Sequence, residues 1–145
     1  MDPKPKVVLD TTVLVSAFLT PAGVSARVLD HTAADCVLVL SLDILAELTL
    51  KLLTKKKIRK AYHYADADVR EYVEHLSALA GALVHDSVPV SGVVRDPEDD
   101  MIIACAATVA AEYLVTRDKD LLALGKYGVT WIVTPREFLT ELSRR

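Results

Sequence analysis

The chain is 145 residues long, 52% hydrophobic and 26% charged, with a formal net charge of −3. That length fits one domain with a real core, and the mild acidity argues against a protein that coats nucleic acid through its overall charge without excluding a local basic patch. Cys36 and Cys105 lie far apart in apolar stretches, which favours two buried reduced thiols over a disulfide, and the four histidines show no ligand spacing, which disfavours zinc.

The opening MDPKPKVVLD has no apolar core followed by a small-residue cleavage site, so no signal peptide is expected. No apolar run approaches the roughly 20 residues of a membrane helix; a cytoplasmic protein without membrane contact is the expectation. KVVLD (6–10) reads as a buried strand ending in a carboxylate, followed by hydroxyls at Thr11 and Thr12 and a helical VLVSAFL. A helix is predicted over 24–33. VLVL (37–40) is a second strand, Ser41 its following N-cap, and 42–54 a helix. The periodicity predicts another helix over 67–83, whereas Asp86–Arg95 shows no pattern. A helix over 98–111, a strand YLVT (113–116), a short helix DLLAL, a strand WIVT (131–134) and a helix over 136–143 complete the chain. TPRE opens that last helix with a capping box and Pro at its first position. Short, wholly apolar strands alternating with helices predict a three-layer α/β/α sandwich with a central parallel sheet, formed by residues 1–145 as one domain.

In open parallel sheets ligands gather at the carboxyl ends of the strands. Asp10 closes the first strand, Ser41 follows the second, and Asp118 and Asp120 follow the third. Upstream of that third strand, RDPEDDMIIACA (95–106) crowds Asp96, Glu98, Asp99 and Asp100 together. With Pro97 at the first helical position, Asp96 becomes the N-cap, and acids in the first turn gain about 0.3–1 kcal/mol each against the helix dipole. That accounts for Asp96 and Glu98. Asp99, however, shares a face with Ile102, Ile103, Ala106 and Ala110, opposite Thr108 and Glu112. A carboxylate turned inward must find a cation or a proton, so metal ligation is preferred there. Asp100 flanks that face; capping is preferred, with support to a neighbouring ligand left open.

Asp10 could cap the following turn or bind a metal, with Thr11 and Thr12 able to cap the helix or hold a water. Glu47 sits on a narrow polar stripe with Asp43, Lys51 and Thr54; its spacing favours a solvent-facing ion pair with Lys51, although the border of an acidic cleft would look the same. One of Asp118 and Asp120 caps DLLAL and the other is free. If Asp10, Glu47, Asp99 and Asp118 converge, each pair at 4 Å repels by about 4 kcal/mol at an effective dielectric near 20. Such a group needs divalent cations to stay ionised. Ligation by oxygen alone selects Mg²⁺ or Mn²⁺, and the chemistry it supports is attack of activated water on phosphorus.

Read together, VVLDTTVLVSAFL, VLSLDILAELTLKLLTKKKI, RDPEDDMIIACAA and EYLVTRDKDLLALGKYGVTWIVTPREFL resemble a PIN domain, and most of all the VapC-like members described as toxin components of toxin–antitoxin systems. The match spans nearly the whole chain. Its specificity lies in the combination of an Asp closing the first strand, the D-P-x-D-D helix and the downstream T-x-D-x-D-L-L. The resemblance implies a metal-dependent endoribonuclease on a parallel sheet. It makes Asp10, Glu47, Asp99 and Asp118 the acidic ligands, Asp120 auxiliary, and Thr116 a residue that orients water or metal. Glu47 as a ligand rests on the resemblance, against the bland reading of its spacing. Thr12 departs from the family pattern, where LDTNVLVSA places Asn; the hydroxyl remains and the amide is lost.

The run KKKIRK (55–60) suits a solvated helix end. Beside a nuclease cleft, Lys55, Lys56, Lys57, Arg59 and Lys60 become candidate phosphate contacts, with Arg95 and Arg117 flanking the acids and Tyr62 and Tyr64 available for stacking. RNA as substrate, a homodimer and an antitoxin partner are expectations of the resemblance. Two other functions compete: a non-catalytic PIN-like RNA-binding or scaffold protein, and a phosphotransferase with Asp10 as nucleophile. The latter usually carries D-x-D, and Thr12 stands where its second acid belongs.

Overall fold

A computed structural model describes residues 3–145. The chain begins with β1 (Lys6–Leu9), α1 (Thr11–Leu19) and α2 (Val24–Asp35), then β2 (Val37–Ser41), α3 (Leu42–Thr54), α4 (Lys56–Tyr62) and α5 (Asp66–Leu79). It continues with β3 (Ala82–Val84), α6 (Pro97–Val109), β4 (Tyr113–Val115), α7 (Lys119–Leu124), β5 (Lys126–Tyr127), β6 (Thr130–Val133) and α8 (Pro135–Ser143). The six strands form one sheet in the order β3-β2-β1-β4-β6-β5. All neighbouring pairs are parallel except β5–β6, which is antiparallel.

One expectation is corrected. The helix predicted over 67–83 ends at Leu79, and Ala82–Val84 instead pairs with β2 as an edge strand. Gly81 marks the break: a Cβ there would stand 2.9 Å from Val37 Cγ1, so a larger residue would have to displace the Val37 side chain for the chain to approach β2 this closely. The expected parallel sheet is present, with one antiparallel pair added at its edge. After Gly125, in the left-handed region at φ 73°, the chain makes the short β5 and turns back through Gly128, at φ 57°, into β6.

The remaining starts follow local chemistry. Ser41 accepts from the Ile44 amide at the head of α3, Asp96 from Glu98 at the head of α6, and Thr134 and Glu137 form the reciprocal box at α8. Strand residues Val7, Val8, Leu9, Leu38, Val39, Leu40, Leu114 and Val115 are almost wholly buried, as a sheet flanked by helices on both faces requires. α6 packs on β1, β2 and β4, while α2 packs on β2 and α8, and α8 on β4. Both cysteines are buried and free. Among the described residues no single helix is long and apolar enough to cross a membrane.

The strand order runs outward from the centre in both directions, β1 to β2 to β3 on one side and β4 to β6 on the other. The order therefore reverses between β1 and β4, where the connections diverge and leave a crevice at the strand ends. Asp10 follows β1 and Thr116 follows β4. The Asp10 amide donates to Val115 O at 3.0 Å, which locks the two strand ends together.

Candidate metal centre

Asp10 is almost wholly buried at the N-cap of α1, yet its side chain makes no cap hydrogen bond. Its Oδ2 instead accepts from two hydroxyls, Thr12 at 2.9 Å and Thr116. Both hydroxyls also act as acceptors, Thr12 from the Arg117 amide at 3.1 Å and Thr116 from the Asp118 amide at 3.0 Å. The threonines thus fix the Asp10 carboxylate and tie it to the turn after β4. Thr12, standing where the family pattern has Asn, keeps a direct hydrogen bond to Asp10. Thr11 is buried in the first turn of α1; the hydroxyl that reaches the carboxylate comes from Thr12.

α6 brings Asp99 to the same place. Its buried side, Ile102, Ile103 and Ala106, anchors the helix, and Asp99 itself is only 7% exposed. Its Oδ2 is buried with no hydrogen-bond partner. Burial first, then the charges of Asp118, Asp10, Asp96 and Asp120, push its carboxyl from 3.8 up to about 7. Among the described residues, carboxylate oxygens of Asp99, Asp118 and Asp120 lie within 4.8 Å of one another. Asp118 has two tasks: its Oδ1 caps α7 by accepting from the Asp120 and Leu121 amides, and its other oxygen is left for the group. Asp120, auxiliary by resemblance, stands in this tight trio, whereas Asp10 and Glu47 lie outside it.

Glu47 combines both readings of its spacing. It pairs with Lys51 at 2.7 Å, but the pair does not face solvent: the Glu47 side chain is 11% exposed and that of Lys51 29%. Glu47 Oε2 is buried without a partner. Burial and the nearby Glu98 raise the Glu47 pKa even against the attraction of Lys51. Burial also opposes the charge on Lys51, but Glu47, Glu98 and Asp10 outweigh it and raise that pKa as well. Glu98 and Lys51, read from the sequence as a first-turn acid and a solvent-facing partner, belong to the cleft instead. The signal was present, since Lys51 is flanked by Leu48 and Leu52, both fully buried.

Asp100, one residue from Asp99, faces elsewhere. It accepts from the amides of Gly92, Val93 and Val94 at 3.0, 3.2 and 3.3 Å, so it ties the patternless segment before α6 to the helix. Replacing it by Ala should cost about 2–3 kcal/mol by leaving those amides without their charged acceptor. Urea denaturation reads that loss.

The cationic candidates separate. Lys55, Lys56, Lys57, Lys60, Arg95 and Arg117 are exposed. Arg59 is committed to structure: it binds Asp66 and the Leu53 and Tyr64 carbonyls, and stacks over the Tyr64 ring. Tyr64 is half-buried, edge-on to Phe18, with its hydroxyl on Leu52 O; Tyr62 is the exposed ring. Arg117 donates to Ser16 Oγ at 2.7 Å and, with Thr12, Tyr62 and Arg136, lines a groove of about 740 Å³ beside the acids. Arg136 was not anticipated, because it lies in the first turn of α8, outside every acidic motif and basic run.

The chain covers 97% of its length against the uncharacterized protein MJ1680 of Methanocaldococcus jannaschii, at 29% identity over 150 residues and 94% of that protein. Its fold is similar to that of a chain in the crystal structure of VapBC2 from Rickettsia felis bound to a DNA fragment from their promoter, with a TM-score of 0.65, 15% identity, and coverage of 89% of this chain and 98% of that one. A family model described as PIN domain matches residues 6–120, from the first strand through the Asp118–Asp120 turn. With that span matched and the acids gathered at the ends of β1 and β4, the chain belongs to the PIN-domain family.

Proposed function

We propose that the protein is a divalent-metal-dependent endoribonuclease acting from a single domain over 1–145, and the toxin of a toxin–antitoxin pair. The observation that carries this reading is Asp99. A carboxylate this buried, with an unpartnered oxygen among Asp118, Asp120 and Asp10, fits a bound cation better than any structural task. The all-oxygen donor set favours Mg²⁺ or Mn²⁺. Asp99, Asp118 and Asp120 would hold the ion, and Asp10 and Glu47 would extend the acidic wall. When bound, such an ion supplies Lewis-acid activation of water and neutralises charge at phosphorus.

The chain's own residues do the rest. Thr12 and Thr116 hold Asp10 in one orientation, so its remaining oxygen can accept a proton from a water or orient it. Arg117, Arg136 and Tyr62 line the groove through which a single strand would reach the acids, and the exposed lysines of α4 add to its electrostatic attraction. Similarity to VapBC2 supports an antitoxin partner. An apolar strip on α3, with Leu50 62% exposed, supports a homodimer.

The test is a panel of labelled single-stranded RNAs with Mn²⁺, Mg²⁺ or EDTA, alongside Asp10→Asn. Cleavage that requires metal and is lost in the variant is the expected result. An unaltered Asp10→Asn variant, or cleavage in EDTA, would sink the reading. RNA bound but never cut, with no metal response, would instead make this a PIN-like scaffold.

A further inference from the structure

We propose that the Lys51 ammonium, paired with Glu47 on α3, is a built-in cation of the acidic cleft where a second divalent ion would otherwise sit, so that the centre holds one divalent ion. This rests on the divalent-metal reading above. The acids fall into two neighbourhoods. Asp99, Asp118 and Asp120 form a trio with no cation near enough to pair with them among the described ion pairs. Glu47 belongs to the other, where Lys51 already sits 2.7 Å from Glu47 Oε1, and α6 packs on α3 so that the charge of Glu98 reaches both. The charge of Asp10 acts on both Asp99 and Lys51.

Lys51 is not a mobile surface lysine in this position. Glu47 and Lys51 are one turn apart on α3, and Ile44, Leu48 and Leu52 pin that helix to the core. Partial burial of the pair weakens the solvent screening that makes exposed ion pairs worth little. Two-metal nuclease centres place their ions about 3.5–4 Å apart, bridged by shared carboxylates. A fixed ammonium on the Glu47 side repels any divalent ion that approaches it at such a distance. It also leaves N–H groups beyond the one that Glu47 accepts, suited to a phosphate oxygen. Lys51 is therefore a positioning residue: it sets how many ions the site takes and which side of the cleft they occupy.

The test is Mn²⁺ stoichiometry on the full chain, by calorimetry and by electron paramagnetic resonance of free Mn²⁺, for the wild type, Lys51→Met, Lys51→Gln and Lys51→Arg. Circular dichroism checks each fold, and the two neutral variants guard against one that fails to fold. One ion is expected in the wild type and in Lys51→Arg, and two in the neutral variants. Two ions in the wild type, or one ion at unchanged affinity in the neutral variants, would overturn the proposal while leaving the metal centre standing. No ion in any protein would overturn the metal centre as well.

Discussion

Asp99→Asn should lower RNA cleavage by at least about 100-fold, the scale on which removing one preorganised electrostatic group acts in an enzyme site, and should erase Mn²⁺-induced thermal stabilisation. The exchange is nearly isosteric, so the helix that carries residue 99 keeps its packing through Ile102, Ile103 and Ala106. What disappears is the charge. Asp118 and Asp120 remain, but one oxygen of Asp118 is occupied at the head of α7 and Asp120 is exposed. The trio thus loses its one deeply buried ligand. Thermal melts with and without Mn²⁺, run beside the cleavage assay, decide the matter; a variant that still gains stability from Mn²⁺ would mean that the ion binds elsewhere.

The same substitution should stabilise the metal-free protein at alkaline pH. The Asp99 carboxyl titrates near 7 in the fold against 3.8 ordinarily. Below both values the group is protonated in the folded and unfolded chain and contributes nothing. As pH rises between them, the unfolded chain releases its proton while the native state retains it, and stability falls by up to about 1.4 kcal/mol per pH unit. Above pH 7 the full penalty stands, about 4 kcal/mol as an upper bound. Asparagine removes it, less what its own buried amide costs. In EDTA at pH 8, Asp99→Asn should therefore exceed the wild type by about 2–4 kcal/mol, or roughly 5–15 °C in Tm for a chain of this size. The two proteins should converge near pH 4. Parallel Tm–pH curves would show that Asp99 is not ionising under strain, and saturating Mn²⁺ should reverse the order at pH 8.

Legibility differed from element to element for physical reasons. The helix 42–54 was readable to the residue because Ser41 caps it and its apolar period is regular. β3 was not readable: Ala82, Leu83 and Val84 continue the apolar pattern of the preceding helix, and only their pairing with β2 makes them a strand. Two-residue β5 carries no periodicity at all. In the site, the inward turn of Asp99 followed from helical phase alone. Glu47 did not, because an i,i+4 partner satisfies its local pattern, and only α6 crossing nearby with Glu98 makes the pair part of a cleft. The choice between Asp118 and Asp120 was undecidable from spacing. Capping consumes one oxygen of a carboxylate, so Asp118 can serve the helix and the group together.

The sheet ends at both margins in very short strands, three residues in β3 and two in β5. Neither offers the row of open amides and carbonyls on which a foreign strand could grow. At one margin Lys126 lies over Trp131, 4.2 Å from the ring centre, setting a charge beside the largest exposed ring. Growth of the sheet from copy to copy, the usual route from a bare strand to fibrils, is thereby closed at its two openings. The helical faces are then the surfaces left open to self-association.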